Sequence, residues 1–418
     1  MTMTELRRIG YSDRVFYRKS VRNLRIRVVL RQALDLVKLK EAVASALCDF
    51  EEFRVTPVRK NGELFYEVNN REVAFFPYDD TGRYFGTDEV NGYLFYILYE
   101  DNAFMLSLFH GLTDYKGMWA FLNDIIYRYA VGCGLEVPDI RINDVPLNDG
   151  DRYDPYGLYA DKDAEFVQPE TTGGIMLLPR ADEPLDADLQ HEYTLTVSAS
   201  KFLNMVHEWN TSASCALAAV ISNTLADLYD AGSWDIALKV TCDMRPQFGS
   251  HSRVNMSEAV LLLSSKEMRD RPLAEHCAAL RSMMRSQFTQ ENFRKTMAAS
   301  IEATKVKEGL KDKPDVTVPS PRLTYVLTYP GKMDLPEEYG ELVSDFELKG
   351  FFPIETIRFS IKSTGDYLRI GIDQVFDGDL IIRAIAKSFE DLGFETAVRD
   401  EGRFGGDKYS LEMLKSVE

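Results

Sequence analysis

A buried strand that runs into a histidine constrains this chain more than any other feature. Residues 103–109 are almost all apolar, as expected for a strand that is covered on both faces. From Met118 to Ile126 the apolar residues recur at helical spacing. His110 therefore lies where a strand leaves its sheet, and Asp114 closes the loop before a helix. A histidine held there can take a proton from an alcohol or an amine, because imidazole titrates near neutrality.

The residues from His110 to Asp114 read His-Gly-Leu-Thr-Asp. They resemble the HxxxD motif of the acyltransferases that include chloramphenicol acetyltransferase, the alcohol acetyltransferases and the condensation domains of peptide synthetases. The fuller pattern of that superfamily is HHxxxDG, and here Phe109 replaces the first histidine and Tyr115 replaces the glycine. The resemblance implies that His110 is a catalytic base. The alternative is a structural histidine at a strand end, with Asp114 as the N-cap of the next helix.

Composition excludes several other classes of protein. The 418 residues suffice for two ordinary domains, and no apolar run reaches the ~20 residues that a membrane helix needs. The five cysteines are widely spaced, which argues against a disulfide framework and against structural zinc. The net charge of −17 argues against nucleic-acid binding. With no apolar leader segment at the N-terminus, we expect a cytoplasmic protein.

The positive charge is concentrated near the N-terminus, where residues 7–31 carry nine basic side chains and one acid. Alternation predicts that Arg25, Arg27 and Arg31 form the solvent side of a strand whose apolar residues face inward. An anion site is the alternative, although charge runs are usually solvated faces.

The predicted elements fall into two halves separated by an aperiodic stretch over 138–190 that is rich in Asp, Pro, Gly and Tyr. In the first half we predict a strand over 24–30, a helix over 36–47, a hairpin around Asn61-Gly62 and a hairpin that ends at 109. In the second half the predicted helices are 200–209, 212–228, 272–289, 291–308 and 378–392, and the predicted strands are 192–197, 234–241, 258–263, 323–327, 356–362 and 367–372.

The second half repeats the decisive pattern of the first. Residues 363–379 align with 100–116 without a gap, which places Asp377 on Asp114 and Asp373 on His110. Together with the resemblance, this predicts an α/β (α+β) fold of two chloramphenicol-acetyltransferase-like lobes. Each lobe would be a mixed sheet with helices, and the lobes would face each other across a central cleft or tunnel. The expected domains are 1–185, which carries HxxxD and the crossover, and 186–418.

The resemblance also implies supporting residues outside the motif. In the superfamily the motif aspartate holds the loop through an arginine, and Arg245 is our candidate because it ends a strand, as in the alcohol acetyltransferases; Arg54 is the fallback. Asn255 lies where those enzymes carry Gly-Asn, and we assign it with Tyr115 and Thr328 to substrate binding. Thr328 precedes Tyr-Pro-Gly and is a candidate oxyanion donor. One departure is Asp49, which stands near the position where condensation domains usually carry an arginine.

These residues imply an acyltransferase with no metal and no permanently bound cofactor. It would move an acyl group from a thioester, acetyl-CoA or another acyl-CoA, to a hydroxyl or amine acceptor. Nucleotide-binding loops and a GxSxG elbow are absent from the sequence. Two alternatives stay open. One is a condensation-type enzyme that takes its acyl group from a carrier protein in trans; the other is a catalytically silent relative that binds a ligand or partner, for which the bulky Tyr115 is the best support.

Overall fold

The computed structural model describes residues 6–14, 17, 23–79, 81–141, 147–161, 163, 174–178, 189–309, 322–331, 334–351 and 357–417. The strands of these ranges are β1 (Arg7–Arg8), β2 (Asn23–Leu30), β3 (Val55–Lys60), β4 (Glu63–Val68), β5 (Phe75–Pro77), β6 (Phe95–Tyr99), β7 (Ala103–Phe109), β8 (Leu189–Ser198), β9 (Ile236–Asp243), β10 (Ser257–Ser264), β11 (Tyr325–Thr328), β12 (Val343–Phe351), β13 (Ile357–Thr364), β14 (Tyr367–Gln374) and β15 (Ala397–Gly405).

The α-helices of the same ranges are α1 (Tyr11–Arg14), α2 (Leu36–Asp49), α3 (Tyr115–Gly132), α4 (Asp149–Tyr153), α5 (Pro155–Tyr159), α6 (Ala199–Glu208), α7 (Ala213–Leu228), α8 (Arg245–Phe248), α9 (Lys266–Arg269), α10 (Leu273–Gln287), α11 (Gln290–Gly309) and α12 (Leu380–Asp391). None of the helices in the described ranges is long and apolar enough to cross a membrane.

The strands form two large mixed sheets and one small sheet. The first large sheet has the order β12-β2-β7-β6-β5, and the second has the order β10-β9-β11-β13-β14-β8-β15. Parallel pairing occurs between β5 and β6, and between β11 and both of its neighbours, while the other pairs are antiparallel. The strands β1, β4 and β3 form the small sheet. The predicted α/β fold of two lobes with mixed sheets is confirmed.

The first lobe is built around β7, which is buried along its whole length between β2 and β6. The amphipathic helices α2 and α3 share one apolar core with this sheet, through residues such as Leu39, Val43, Phe121 and Ile125. Asp35 begins α2 by accepting hydrogen bonds from two amides of its first turn. This packing fixes both the end of β7 and the start of α3, which are the two elements that hold the motif.

A strand from the second half of the chain completes the first sheet. The strand β12 pairs antiparallel with β2, with Leu348 opposite Ile26. We did not predict β12, because its mixture of charged, aromatic and aliphatic residues has no clean period of two. The predicted boundary between 1–185 and 186–418 lies outside the described residues.

The prediction that Arg25 faces solvent is wrong. Its side chain is 5% exposed and donates to Asp407 at 3.1 Å and to Ser107 at 3.2 Å. Asp407 also accepts hydrogen bonds from Asn23 at 2.6 Å and from Tyr96. The C-terminal segment covers this face of the sheet and brings a carboxylate to the arginine. Nothing near residue 25 in the sequence could have revealed a partner 382 positions away.

The other two arginines of this strand differ from Arg25. Arg27 is partly buried and pairs with Glu100 at 2.7 Å and Glu347 at 3.3 Å, and the exposed Arg31 donates to a backbone oxygen. These contacts are structural ion pairs and a hydrogen bond, so they favour neither a fully solvated face nor an anion site.

The second lobe covers one face of its sheet with helices. Alternate residues of β8, β13 and β14 are aliphatic or aromatic and form one core with α6, α7, α10 and α12. Ser198 begins α6 and Ser212 begins α7, each by accepting a hydrogen bond from an amide of the first turn. The predicted elements of this half are present, with ends that shift by a few residues. Of the aperiodic stretch 138–190, residues 149–159 contain α4 and α5, which we did not predict.

The strand–loop–helix unit does recur in the second lobe. The first copy has six positions from the last residue of β7, at 109, to the first residue of α3, at 115; the second has six from 374 to 380. The ends of the strand and the helix in the two copies therefore align at a sequence shift of 265 residues, not at the predicted shift of 263. This shift places Asp379, the N-cap position of α12, on Asp114, and it places Asp377 within the loop.

Candidate functional site

His110 follows the last residue of β7 in the loop to α3 and is partly buried. Its ring nitrogen Nδ1 lies 3.1 Å from the backbone oxygen of Thr113. A carbonyl oxygen only accepts hydrogen bonds, so Nδ1 carries the proton in this contact, and the neutral ring then has its lone pair on Nε2. The backbone oxygen of His110 in turn accepts a hydrogen bond from Nδ2 of Asn255 at 2.6 Å. Both contacts fix the orientation of the imidazole.

The residues on either side of His110 explain two features of the motif. Phe109, which stands where the superfamily has its first histidine, is fully buried and stacks on Tyr409 with ring centroids 4.9 Å apart. A Cβ atom at Gly111 would lie 2.2 Å from the ring of Phe109, so this position has no room for a side chain. The residue before the catalytic candidate is thus part of the core.

Asp114 is the N-cap of α3 and is 4% exposed. Its Oδ1 accepts from the amides of Lys116 at 3.0 Å and Gly117 at 3.1 Å. Its Oδ2 accepts from the amide of Met256 at 2.9 Å. Asp114 is therefore an N-cap, as the alternative interpretation of the sequence holds, but the same carboxylate also binds the second half of the chain.

Arg245 binds Asp114 with two nitrogens. Nη2 lies 3.0 Å from Oδ1 and Nη1 lies 3.0 Å from Oδ2, a bidentate geometry. The same guanidinium donates to the backbone oxygens of Ser252 and Val254 and lies 2.9 Å from Asp243. Arg245 thus contacts the motif, the loop 250–256 and the end of β9 at once.

The electrostatics of this pair follow from burial and proximity. Burial opposes ionisation of Asp114, but Arg245 and the amides that donate to the carboxylate outweigh it and lower the pKa of Asp114. Burial likewise opposes the charge on Arg245, yet the two neighbouring carboxylates raise the pKa of Arg245. Both groups are therefore charged at neutral pH.

The loop that carries Asn255 packs directly against the motif. Thr113 donates through its hydroxyl to the backbone oxygen of Arg253 at 2.5 Å. A Cβ atom at Gly117 would lie 1.9 Å from that same oxygen. The close approach requires glycine in the first turn of α3. These contacts join the two lobes at the loop from His110 to Asp114.

Tyr115 is the first residue of α3 and is 8% exposed. It is not among the described residues with positive φ, so the backbone here does not require a glycine. Its hydroxyl donates to the backbone oxygen of Lys349 in β12 at 3.3 Å. Burial raises the pKa of Tyr115 to about 12, against the influence of Arg358. The tyrosine fills space between the motif and β12.

Thr328 lies apart from these contacts. It ends β11 and is opposite Ser360 in the parallel ladder, so both side chains lie on the same face of the second sheet. The contacts of the described residues do not join Thr328 to His110. Its predicted role in holding an oxyanion stays a prediction, as do the roles of the other site residues.

Sequence reasoning missed a second histidine with polar partners. His191 in β8 contacts Asp377 through Nδ1 at 2.8 Å and Asp400 through Nε2 at 2.7 Å. Arg403 also binds Asp377. The partners lie in the loop after β14 and in β15, far along the chain, so no local signal could have indicated them. Within the described residues there is no group of three side chains suited to a metal ion.

Solved structures of condensation and epimerization domains are similar to this chain over almost its whole length. The epimerization domain of tyrocidine synthetase B has a TM-score of 0.61 at 10% identity, covering 93% of this chain and 95% of that one. Polyketide synthase associated protein 5 from Mycobacterium tuberculosis has a TM-score of 0.63 at 14% identity, covering 91% and 96%. A starter condensation domain of rhizomide synthetase, in complex with C8-CoA, has a TM-score of 0.58 at 11% identity, covering 93% and 94%.

Comparison of sequences alone does not detect this similarity. No protein-family profile matches the chain, and no curated protein sequence matches it. The similarity at 10–14% identity concerns the fold, and it spans both lobes of all three structures. The chain therefore has the fold of condensation domains, and the likeness in fold that its sequence predicted is confirmed.

Proposed function

We propose that this protein is an acyltransferase that moves an acyl group from a thioester donor to a hydroxyl or amine acceptor. The contact between Nδ1 of His110 and the backbone oxygen of Thr113 is the observation that carries the proposal. It leaves the basic lone pair of the neutral ring on Nε2, the state that a general base requires.

The reaction follows from this base and needs no covalent enzyme intermediate. Nε2 of His110 takes the proton of the acceptor as its oxygen or nitrogen attacks the thioester carbonyl. The tetrahedral intermediate collapses with cleavage of the carbon–sulfur bond, and the leaving thiolate takes the proton from Nε2. Asp114 does not act as a proton relay, because both of its oxygens already accept hydrogen bonds from amides and Arg245. We assign to Asp114 and Arg245 the role of holding the loop in shape.

For the donor we propose a CoA ester, acetyl-CoA or another acyl-CoA, as cosubstrate. A rhizomide synthetase starter condensation domain of the same fold was solved in complex with C8-CoA. A carrier-protein-bound acyl group is the second candidate donor, because several similar structures are domains of synthetases. A silent binding protein is the third candidate, for which the buried Tyr115 beside the motif is the specific observation.

The test is turnover of a panel of CoA thioesters with hydroxyl and amine acceptors by His110→Ala. We expect turnover to fall by about 10²- to 10⁴-fold, the usual contribution of a positioned base. The melting temperature should fall by a few degrees at most, since about one hydrogen bond is lost. His207→Ala is the matched control, because His207 lies exposed on α6. Near-wild-type turnover by His110→Ala refutes the base, and inertness of the wild-type protein to every thioester favours silent binding.

A further inference from the structure

The second sheet has a polar face on the side away from the core helices α6, α7, α10 and α12. Residues that alternate with the aliphatic core positions of β8, β13 and β14 are charged or hydroxylic. They are nevertheless buried or half-buried, because β12 and the start of α3 lie over them. These residues are Glu192, Thr194, Thr196, Arg358, Ser360, Lys362, Arg369 and Asp373.

A pocket of about 260 Å³ is lined by this face and by residues of the strands β12 and β15. Its walls carry four acids and four bases, so no single charge dominates. Leu348, Ala397 and Val398 also line the pocket, but its fixed charges make it a poor place for an acyl chain, since the charges would lose water without gaining partners. The pocket therefore fits a polar ligand better than the acyl group of a thioester.

One end of the pocket is linked through β12 to Tyr115, the residue that follows the motif. Lys349 lines it and accepts the hydrogen bond from Tyr115 through its backbone oxygen at 3.3 Å. The ammonium of Lys349 lies 3.6 Å from Oε2 of Glu192, and that oxygen has no hydrogen-bond partner among the described residues. Burial raises the pKa of Glu192 to about 8, against the pull of Lys349. This 5%-exposed carboxyl is therefore ready to bond a ligand group.

At the other end of the pocket two cations share the carboxylate of Asp345, and Glu347 also lines this region. Lys362 Nζ lies 3.4 Å and Arg369 Nη1 lies 2.7 Å from the same Oδ1 of Asp345, so the two nitrogens are at most 6.1 Å (3.4 + 2.7) apart. Lys362 is only 3% exposed, and burial and Arg369 lower the pKa of Lys362 to about 8, which leaves it a cation at pH 7. An anionic ligand group between these nitrogens would accept charge-assisted hydrogen bonds from both.

The two ends are separated by a fixed length of strand. Glu192 and Asp373 are opposite each other in one row of the ladder, and Thr196 and Arg369 are opposite each other four residues further on. Four residues of strand span about 13 Å. We propose that the pocket binds the acceptor, with an anionic group of that acceptor between Lys362 and Arg369 and its hydroxyl or amine end directed past Glu192 toward His110. This inference rests on the proposed function and narrows the acceptor to an elongated molecule that carries a carboxylate or a phosphate.

The experiment is calorimetric titration of the full chain with glutarate, with inorganic phosphate and with desulfo-CoA, at ionic strength matched with NaCl. We expect glutarate or phosphate to bind, and Lys362→Met to weaken that binding by about 10- to 100-fold, the value of one charge-assisted hydrogen bond. Arg369→Met should weaken it similarly, which guards against a folding defect of the more buried variant. Lys387→Met, on the exposed side of α12, should bind as the wild type does. The tighter of the two small anions identifies the group.

Other outcomes overturn the proposal. Equal affinity in wild type, Lys362→Met and Arg369→Met removes these residues from the site, as does the absence of binding by both small anions. Desulfo-CoA binding that falls with Lys362→Met would assign the pocket to the phosphates of the donor instead of the acceptor. The titration is repeated with His110→Ala, whose anion binding should be unchanged. If His110→Ala has no turnover but still binds the anion, the anion site is independent of the base. If the enzyme is active but binds no anion, this proposal fails while the proposed function stands.

Discussion

The pair of Asp114 and Arg245 offers the sharpest test of how the two lobes are joined. Asp114→Ala removes an N-cap, worth about 1 kcal/mol, and leaves a buried guanidinium with only Asp243 as its remaining carboxylate. Breaking a buried pair costs about 3–5 kcal/mol, and we expect the lower part of that range because Asp243 remains. Arg245→Ala should cost a similar amount, since it strands the Asp114 carboxylate among amides.

A double-mutant cycle measures the coupling. Because each single variant already breaks the same pair, the free energy of unfolding of the double variant should lie above the additive value by about 0.5–3 kcal/mol. Urea unfolding followed by two optical probes gives these values and checks that unfolding is two-state. Asp114→Asn is the control for the cap, since its side-chain oxygen still accepts from the first turn of α3. Additivity within about 0.5 kcal/mol would refute the coupling; Arg54, the fallback partner, instead bonds Asn70 at the surface.

The same pair predicts a pH dependence with a definite sign. The pKa of Asp114 is lowered in the folded protein, so the carboxylate contributes stability above the ordinary pKa of aspartate. That contribution is lost as the pH falls through the ordinary value and then through the lowered one. Wild type and Asp114→Asn should therefore differ most near neutral pH and converge in strong acid. A difference in unfolding free energy that stays constant from pH 7 to pH 3 would contradict the assignment.

Three further substitutions test other parts of the structure. Tyr115→Gly should lower the free energy of unfolding by about 3–5 kcal/mol, because it removes a buried ring. It should also admit longer acyl donors in a panel of increasing chain length. Unchanged selectivity would show that Tyr115 does not line the acyl path. Asp407→Ala should cost about 3–5 kcal/mol in urea unfolding because it leaves Arg25 buried and unpaired, and a loss under 1 kcal/mol would contradict that role. Gly117→Ala should destabilise by about 1–3 kcal/mol because its Cβ would meet a backbone oxygen, whereas Gly132→Ala on the same helix meets nothing and should be neutral or stabilising in thermal melts.

The sequence predicted what local pattern can encode. The apolar run before His110 and the helical spacing after it placed the loop correctly, because burial on both faces and amphipathicity leave a readable period. The contact of Arg245 with Asp114 was anticipated only through the resemblance to a family. No spacing rule connects residues 131 positions apart. The partners of Arg25 and His191 were missed for the same reason.

Two of the strands that were not predicted, β12 and β15, were missed for a different physical reason. The strand β12 has no clean alternation because its faces meet two different environments, the first lobe and the polar face of the second sheet. The strand β15 is largely polar and lies at an edge, where nothing selects apolar side chains. Alternation of polar and apolar residues predicts strands with one solvent-exposed face and one buried face, and neither β12 nor β15 is such a strand.

The placement of β12 has a consequence for synthesis and folding. The first sheet lacks its outer strand until residue 351 has been made, and the carboxylate that neutralises Arg25 arrives only with residue 407. During translation the nascent first lobe therefore exposes an open strand edge, and Arg25 lacks both its cover and its carboxylate. Such long-range pairings slow folding and leave the edge open to other chains. A ribosome-bound chain halted before residue 343 should thus recruit chaperones, and truncated halves of this protein should aggregate rather than assemble as independent modules.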